Sequence, residues 1–311
     1  DAFSRYMKLI VIGGAVLALL LARNNSEQHG VHKYEYSVLA VLATLGMLIM
    51  VSANDLMSLY VGLELQSLSL YVMAAIKREQ FYVAYQPVVD TQALRVTGLE
   101  VLLRWRHPVA GEIPPDAFIN FAESQKMIVP LTQHLFELIA RDAAELEKVL
   151  PVGVKFGINI APDHLHSESF KADIQKLLTS LPAHHFQIVL EITERDMLKE
   201  QEATQLFAWL HSVGVEIAID DFGTGHSALI YLERFTLDYL KIDRGFINAI
   251  GTETITSPVL DAVLTLAKRL NMLTVAEGVE TPEQARWLSE RGVNFMQGYW
   301  ISRPLPLDDF V

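Results

Sequence analysis

From Phe81 to the end of the chain, strand-like and helix-like segments alternate, and this alternation restricts the fold more than any other feature of the sequence. Strand-like runs fall at Phe81–Val88, Val96–Arg104, Val154–Ile160, Phe186–Ile192, Val215–Asp220, Tyr239–Asp243, Met272–Glu277 and Asn294–Gln297. Amphipathic stretches lie between them, at Ile128–Leu150, Glu168–Leu181, Glu200–Val213, Ser257–Leu270 and Pro282–Arg291. Pro115 and Pro282 stand near helix starts, where the missing N–H is tolerated. Alternating β and α units imply a mostly parallel sheet with helices outside it. Eight strands in about 230 residues predict the α/β class and a (β/α)8 TIM-like barrel. The alternative is an open doubly wound sheet, but no Gly-x-Gly-x-x-Gly follows the first strand to support dinucleotide binding.

The first 78 residues have another rhythm. Leu9–Ala22, Tyr36–Asn54 and Leu56–Ile76 are apolar runs, the last interrupted only by Glu64 and closed by Lys77 and Arg78. A bilayer crossing takes about 20 apolar residues. The expectation is an apolar all-α segment of two to three transmembrane helices over residues 1–78, ahead of a barrel domain over 79–311. Arg23, Lys33, Lys77 and Arg78 then favour a cytoplasmic barrel domain at an inner membrane, through the positive-inside bias. The stretch Tyr34–Arg78, with its run ATLGMLIMVSANDLMSLYVGLELQSLSLYVMAAIKR, resembles chain N of bacterial NADH-quinone oxidoreductase. By that resemblance Glu64 stands where the family places a membrane-embedded glutamate used in proton transfer. No Gly/Ser- or Pro-rich linker separates the two rhythms. The expectation is therefore an artificial or misassembled fusion, checked by sequencing the source gene across residues 75–85.

Charge sharpens the contrast. Of 25 Lys/Arg and 37 Asp/Glu, residues 1–78 hold six and five, leaving 19 and 32 and a balance of −13 for the remainder. So acidic a domain is a poor partner for DNA, whose phosphates need neutralising cations from the protein. If it handles a phosphate compound, metal ions are expected to carry the positive charge. The chain has no cysteine, which excludes disulfides, thiolate metal sites and cysteine nucleophiles.

Polar residues recur where the barrel strands end. Glu100 lies in the second strand, Asn159 ends the third, and Glu191 lies near the end of the fourth with Glu194 beyond it. Asp220 and Asp221 end the fifth, Lys241 and Asp243 the sixth, Glu277 the seventh with Glu280 beyond it, and Gln297 the eighth. One such acid would be an ordinary water-facing strand end. A series over seven strands points to the rim where barrel enzymes keep their chemistry. Converging carboxylates repel and are driven to protonate unless cations compensate. An oxygen-rich ligand set without cysteine favours Mg²⁺ or Mn²⁺ over zinc.

These residues carry a resemblance. Tyr85-Gln86-Pro87, Glu100-Val101-Leu102 with Arg104, Asn159, Glu191-Ile-Thr-Glu194, Asp220-Asp221-Phe-Gly-Thr-Gly225, Lys241-Ile-Asp243, Glu277-Gly-Val-Glu280 and Gln297-Gly298 resemble, in order, the motif series of EAL-domain cyclic-di-GMP phosphodiesterases. The resemblance covers residues 81–311. It implies hydrolysis of cyclic-di-GMP to linear pGpG with two Mg²⁺ or Mn²⁺ ions per site. Glu100, Asn159, Glu191 and Asp220 match ligands of one metal, and Asp220, Asp221 and Glu277 match groups around the second metal and its water. Lys241 matches the lysine on the attacking water, and Gln297 a substrate- or water-contacting glutamine. Arg104 matches the phosphate-binding arginine, with Gln86, Asp243 and Glu280 on the substrate side. Glu194 matches a glutamate that steadies the loop 221–227, which the family uses to link metal binding to homodimer formation. Val101, Ala161, His226 and Ala228 depart from the family pattern. Val101 is expected to adjust packing only, because it faces away from its neighbour Glu100. His226 and Ala228 bear on loop control. The competing reading is a catalytically inactive cyclic-di-GMP-binding module.

Overall fold

A computed structural model describes residues 6–16, 44, 47–48, 72, 75–76, 78–193, 200–222, 234–250 and 256–310. The chain divides into two compact units. One comprises Asp1–Phe81 and Trp105–Leu131, the other Tyr82–Arg104 and Thr132–Val311.

In the first unit, residues 6–16 are helical. Among the described residues, no helix is long and apolar enough to cross a membrane. Glu64 and most of the second and third apolar runs lie outside the described residues. Three aromatic rings, Phe81, Trp105 and Phe118, pack mutually at centroid separations of 5.2, 5.6 and 5.8 Å. Gln80 fastens the chain there, accepting at its side chain from Trp105 Nε1 and at its carbonyl from Arg106 N.

The elements of the chain are β1 (Phe81–Asp90), β2 (Val96–His107), β3 (Gly111–Ile113), α1 (Pro115–Ser124), α2 (Ile128–Leu146), β4 (Val154–Asn159), α3 (Pro162–Leu165), α4 (Phe170–Ser180), β5 (Phe186–Thr193) and α5 (Glu200–Ser212). They continue as β6 (Glu216–Phe222), β7 (Tyr239–Ile242), α6 (Arg244–Asn248), α7 (Thr256–Arg269), β8 (Leu273–Ala276), α8 (Pro282–Glu290), β9 (Phe295–Met296), β10 (Leu305–Pro306) and α9 (Leu307–Phe310). Eight strands close a barrel in the order β1, β9, β8, β7, β6, β5, β4, β2 and back to β1. The predicted eight strands are these eight, within a few residues at each end.

Two features were not expected from the sequence. β1 runs antiparallel to β9, whereas β2 and β4 through β9 pair in parallel. The turn between β1 and β2 is too short for a crossover helix, so it can only make a hairpin. Asp90 builds that hairpin: its carboxylate accepts from Gln92 N and Ala93 N, and its carbonyl accepts from Leu94 N. Two short strands also join the sheet, β3 against β2 and β10 against the start of β1.

The barrel wall is apolar where it meets the helices. Leu99, Phe156, Ile158, Ile188 and Leu190 are almost fully buried. Val101 is buried as well, one residue along from Glu100, as expected for a packing position. α8 starts with a capping box: Thr281 accepts from Gln284 N, and Gln284 Oε1 returns to the Thr281 amide.

Candidate active site

Lys241 on β7 is the centre of the polar rim. Its ammonium lies 2.6 Å from Glu191 Oε2, 2.6 Å from Glu277 Oε1, 3.3 Å from Asp220 Oδ2 and 3.6 Å from Glu100 Oε1. Four strands and the residue after a fifth supply these side chains, so only barrel closure brings them together. Two amides complete the ring. Asn159 Nδ2 donates to Glu100 Oε1 at 3.1 Å. Gln297 Nε2 donates to Glu100 Oε2 and, at 3.4 Å, to Glu277 Oε1. Glu100, Glu191, Asp220, Lys241 and Gln297 are all buried.

Four carboxylates around one ammonium leave formal negative charge in a dry place. Burial pushes Glu277 up to about 8, and the charges of Asp220 and Glu100 add to this while Lys241 opposes it. Burial likewise holds Glu191 well above the usual carboxylate range, against the pull of Lys241 and with the push of Glu100 and Asp220. For Lys241, burial alone would favour the neutral amine. The carboxylates of Glu100, Glu191, Glu277 and Asp220 more than offset that and keep it charged.

Space for this cluster comes from a residue the sequence reading passed over. A Cβ at Gly157 would stand 2.3 Å from Glu191 Oε1. The glycine therefore admits the carboxylate to the barrel interior. A glycine inside the apolar strand pattern of β4 was the available signal, since such glycines often mark a close approach. Gly298, after Gln297, has φ +155°, and a Cβ there would stand 2.2 Å from Val279 N and O. It locks the end of β9 to the segment after Glu277.

Other predicted residues stand apart. No hydrogen bond or ion pair joins Gln86, Arg104, Asp243 or Glu280 to the cluster among the described residues. Gln86 is buried and donates to Ser302 O at 3.1 Å. Arg104 Nη1 donates to the carbonyl of Leu103. Asp243 caps α6, accepting from Gly245 N at 2.8 Å, which gives it a local structural task. Glu280 is exposed. Asp221 belongs to β6, but its side chain, like Glu194, His226 and Ala228, lies outside the described residues.

The donor set bears on metal binding. Among the described residues, no three carboxylates or histidines already form a metal cage; the Lys241 ammonium lies between them. Yet the surrounding carboxylate donors are all oxygen, and their negative charge is only partly compensated by Lys241. Such a set fits a hard divalent cation.

Comparison with known proteins follows the same lines. The EAL domain family matches residues 71–304, and the chain belongs to that family. It is 99% identical over 240 residues to the probable cyclic di-GMP phosphodiesterase PdeN of Escherichia coli K12, covering 77% of this chain and 46% of that protein. It is 40% identical over 238 residues to the probable cyclic di-GMP phosphodiesterase PdeG of the same organism, covering 76% and 47%. Among solved structures, PaMucR phosphodiesterase in complex with c-di-GMP superposes with a TM-score of 0.72 at 33% identity, over 78% of this chain and 99% of that one. The chain spans about half the length of these two curated relatives.

Proposed function

We propose that the barrel hydrolyses cyclic-di-GMP to linear pGpG. The observation that carries this is the Lys241-centred ring of Glu100, Asn159, Glu191, Asp220, Glu277 and Gln297 at the strand ends of an EAL-domain barrel. Mg²⁺ or Mn²⁺, two per site, would be held by Glu100, Asn159, Glu191, Asp220, Asp221 and Glu277, and would supply positive charge to the phosphodiester oxygens and acidify the attacking water.

The side chains divide the remaining work. Lys241, charged and fixed by the carboxylates around it, orients the water and offsets charge developing on the phosphoryl oxygens. A carboxylate of the ring takes the water's proton as its oxygen attacks phosphorus. The bond from phosphorus to the ribose 3′ oxygen breaks, and that oxygen takes a proton from solvent water and leaves as a hydroxyl, the carboxylate returning its proton to solvent. Asn159 and Gln297 hold Glu100 in place from two sides. Arg104 and Gln86 are assigned to the substrate side, with Asp243 and Glu280 near it. In the same reading, residues 1–78 would hold the barrel at the cytoplasmic face of an inner membrane, supported by the distribution of Lys and Arg; membrane flotation of the full chain tests this.

The test is turnover. Incubation with cyclic-di-GMP and Mn²⁺ or Mg²⁺ should yield pGpG, and EDTA should stop it. Tight binding with no linear product under any divalent metal would instead favour the inactive binding module. Gly157→Ala is expected to turn the Glu191 carboxylate away from Lys241, lowering kcat by roughly 10²-fold and the melting temperature with it.

The raised pKa of Glu277 gives a linkage prediction. Without metal its carboxyl is largely protonated below about pH 8. A divalent cation must displace that proton. Metal affinity should therefore rise with pH toward 8 and level off above it. Calorimetry at pH 7 in buffers of different ionisation enthalpy should detect proton release; none would contradict the assignment of Glu277 to the metal site.

A further inference from the structure

Below the carboxylate ring the barrel is not filled. Barrels of this class are packed by layers of bulky branched side chains. Here Gly98, Gly157 and Ala218 occupy the middle level with Val88, Val189 and Val275, and they leave a chamber of about 50 Å³. Its roof is Glu191, Lys241 and Gln297, each more than nine-tenths buried. Its floor includes Lys155 and Tyr239. Lys155 donates to Glu216 Oε2 and Tyr239 OH, and Tyr239 OH donates to Glu216 Oε2 at 2.8 Å. The Lys155 and Glu216 side chains are 26% and 23% exposed, so the floor meets water at the end away from the ring.

One roof atom lacks a partner. The Gln297 amide turns its nitrogen toward Glu100 and Glu277. Its Oε1 takes the other arm, buried and without a hydrogen-bond donor. The middle of the chamber offers apolar surface. A water held at the roof by Gln297, Glu191 and Lys241 would leave that apolar surface uncovered. An anion would lie against Glu191, and a cation against Lys241 and Lys155. We propose that the chamber is a binding site for a small neutral molecule with one hydroxyl or amide donor on a short apolar body, its donor on Gln297 Oε1 and its entry past Lys155.

Occupancy reaches Glu100 and Glu277 through Gln297. Gln297 holds Glu100 and Glu277 with the nitrogen of the same amide. A ligand on Oε1 fixes that amide from below. It acts on turnover without competing with a substrate bound on the opposite side. Binding itself does not depend on the proposed reaction; only the effect on turnover rests on it.

The probe is 1-propanol, titrated into the full chain and followed by methyl NMR. The resonances of Ala218, Val189 and Val275 should shift saturably in the millimolar range, as suits a ligand of four heavy atoms. Ala218→Val and Val275→Leu narrow the chamber, and each should abolish the saturable shift while the melting curve shows a folded protein. Crystals of the unaltered chain soaked in 1-propanol should show the hydroxyl on Gln297 Oε1. In the phosphodiesterase assay the alcohol should change kcat at constant KM, and Ala218→Val should remove that response. Shifts linear in alcohol, shifts that persist in both variants, or a chamber holding water alone in the soaked crystal would overturn the proposal. Saturable binding without any phosphodiesterase turnover would leave it standing and count against the reaction.

Discussion

Lys241→Met is expected to lower turnover of cyclic-di-GMP by roughly 10³-fold, because the variant loses both the group that orients water and the charge facing the phosphoryl oxygens. The same substitution should unsettle the metal-free fold. Among the described residues, Lys241 is the cation that stands between Glu100, Glu191, Asp220 and Glu277, at 2.6 to 3.6 Å. Removing one side of a buried ion cluster costs about 3–5 kcal/mol. The variant has a characteristic pH signature. Glu191 and Glu277 already bind protons more tightly when folded than in the unfolded chain. Without Lys241 that excess grows, so the folded state holds more protons than the unfolded state and stability falls as pH rises. Melting temperatures of the metal-free variant should drop from pH 5 to pH 8 more steeply than those of the parent protein. Mn²⁺ should recover part of the loss by supplying the missing charge. A variant with full turnover, or with a flat stability profile, would remove Lys241 from the centre of the mechanism.

Glu100→Gln should separate activity from stability. Glu100 accepts from Asn159 on one oxygen and from Gln297 on the other. A glutamine keeps one acceptor and turns an NH₂ toward the second donor, so one of those bonds is lost. Loss of a proposed metal ligand and of its charge should reduce turnover by about 10²- to 10³-fold and weaken Mn²⁺ binding. Yet the charge of Glu100 also helps to raise the pKa of Glu191 and Glu277. Its neutralisation relieves repulsion in the metal-free barrel. The melting temperature without metal should stay level or rise, while with Mn²⁺ it should fall below that of the parent. A parallel loss of activity and metal-free stability would mean that Glu100 serves the fold first.

The eight barrel strands and the amphipathic helices α2, α4, α5, α7 and α8 were legible because each carries its own hydrophobic period. β3 and β10 were not, since two or three residues show no period at all. The direction of β1 was also hidden. A buried strand reads the same in either direction, and only the hairpin built by Asp90 reveals the reversal.

The candidate site divides in a similar way. Glu100, Asn159, Glu191, Asp220, Lys241, Glu277 and Gln297 could be picked out because each follows or closes an apolar run. Asp243 shared that position but caps a helix, a use that depends on the backbone after it. Gln86 and Arg104 were named through the family pattern alone, and their contacts in the fold are to nearby carbonyls. Strand-end chemistry was therefore set by the sequence itself, which determined that seven polar groups would stand at the rim of a closed barrel. What only the tertiary structure decided is how their charges settle. Burial around Lys241 determines which carboxylates bind protons, Gly157 makes room for Glu191, and small residues from separate strands leave a chamber under Gln297. Those properties depend on distances and desolvation between strands far apart in the chain, and no local pattern encodes them.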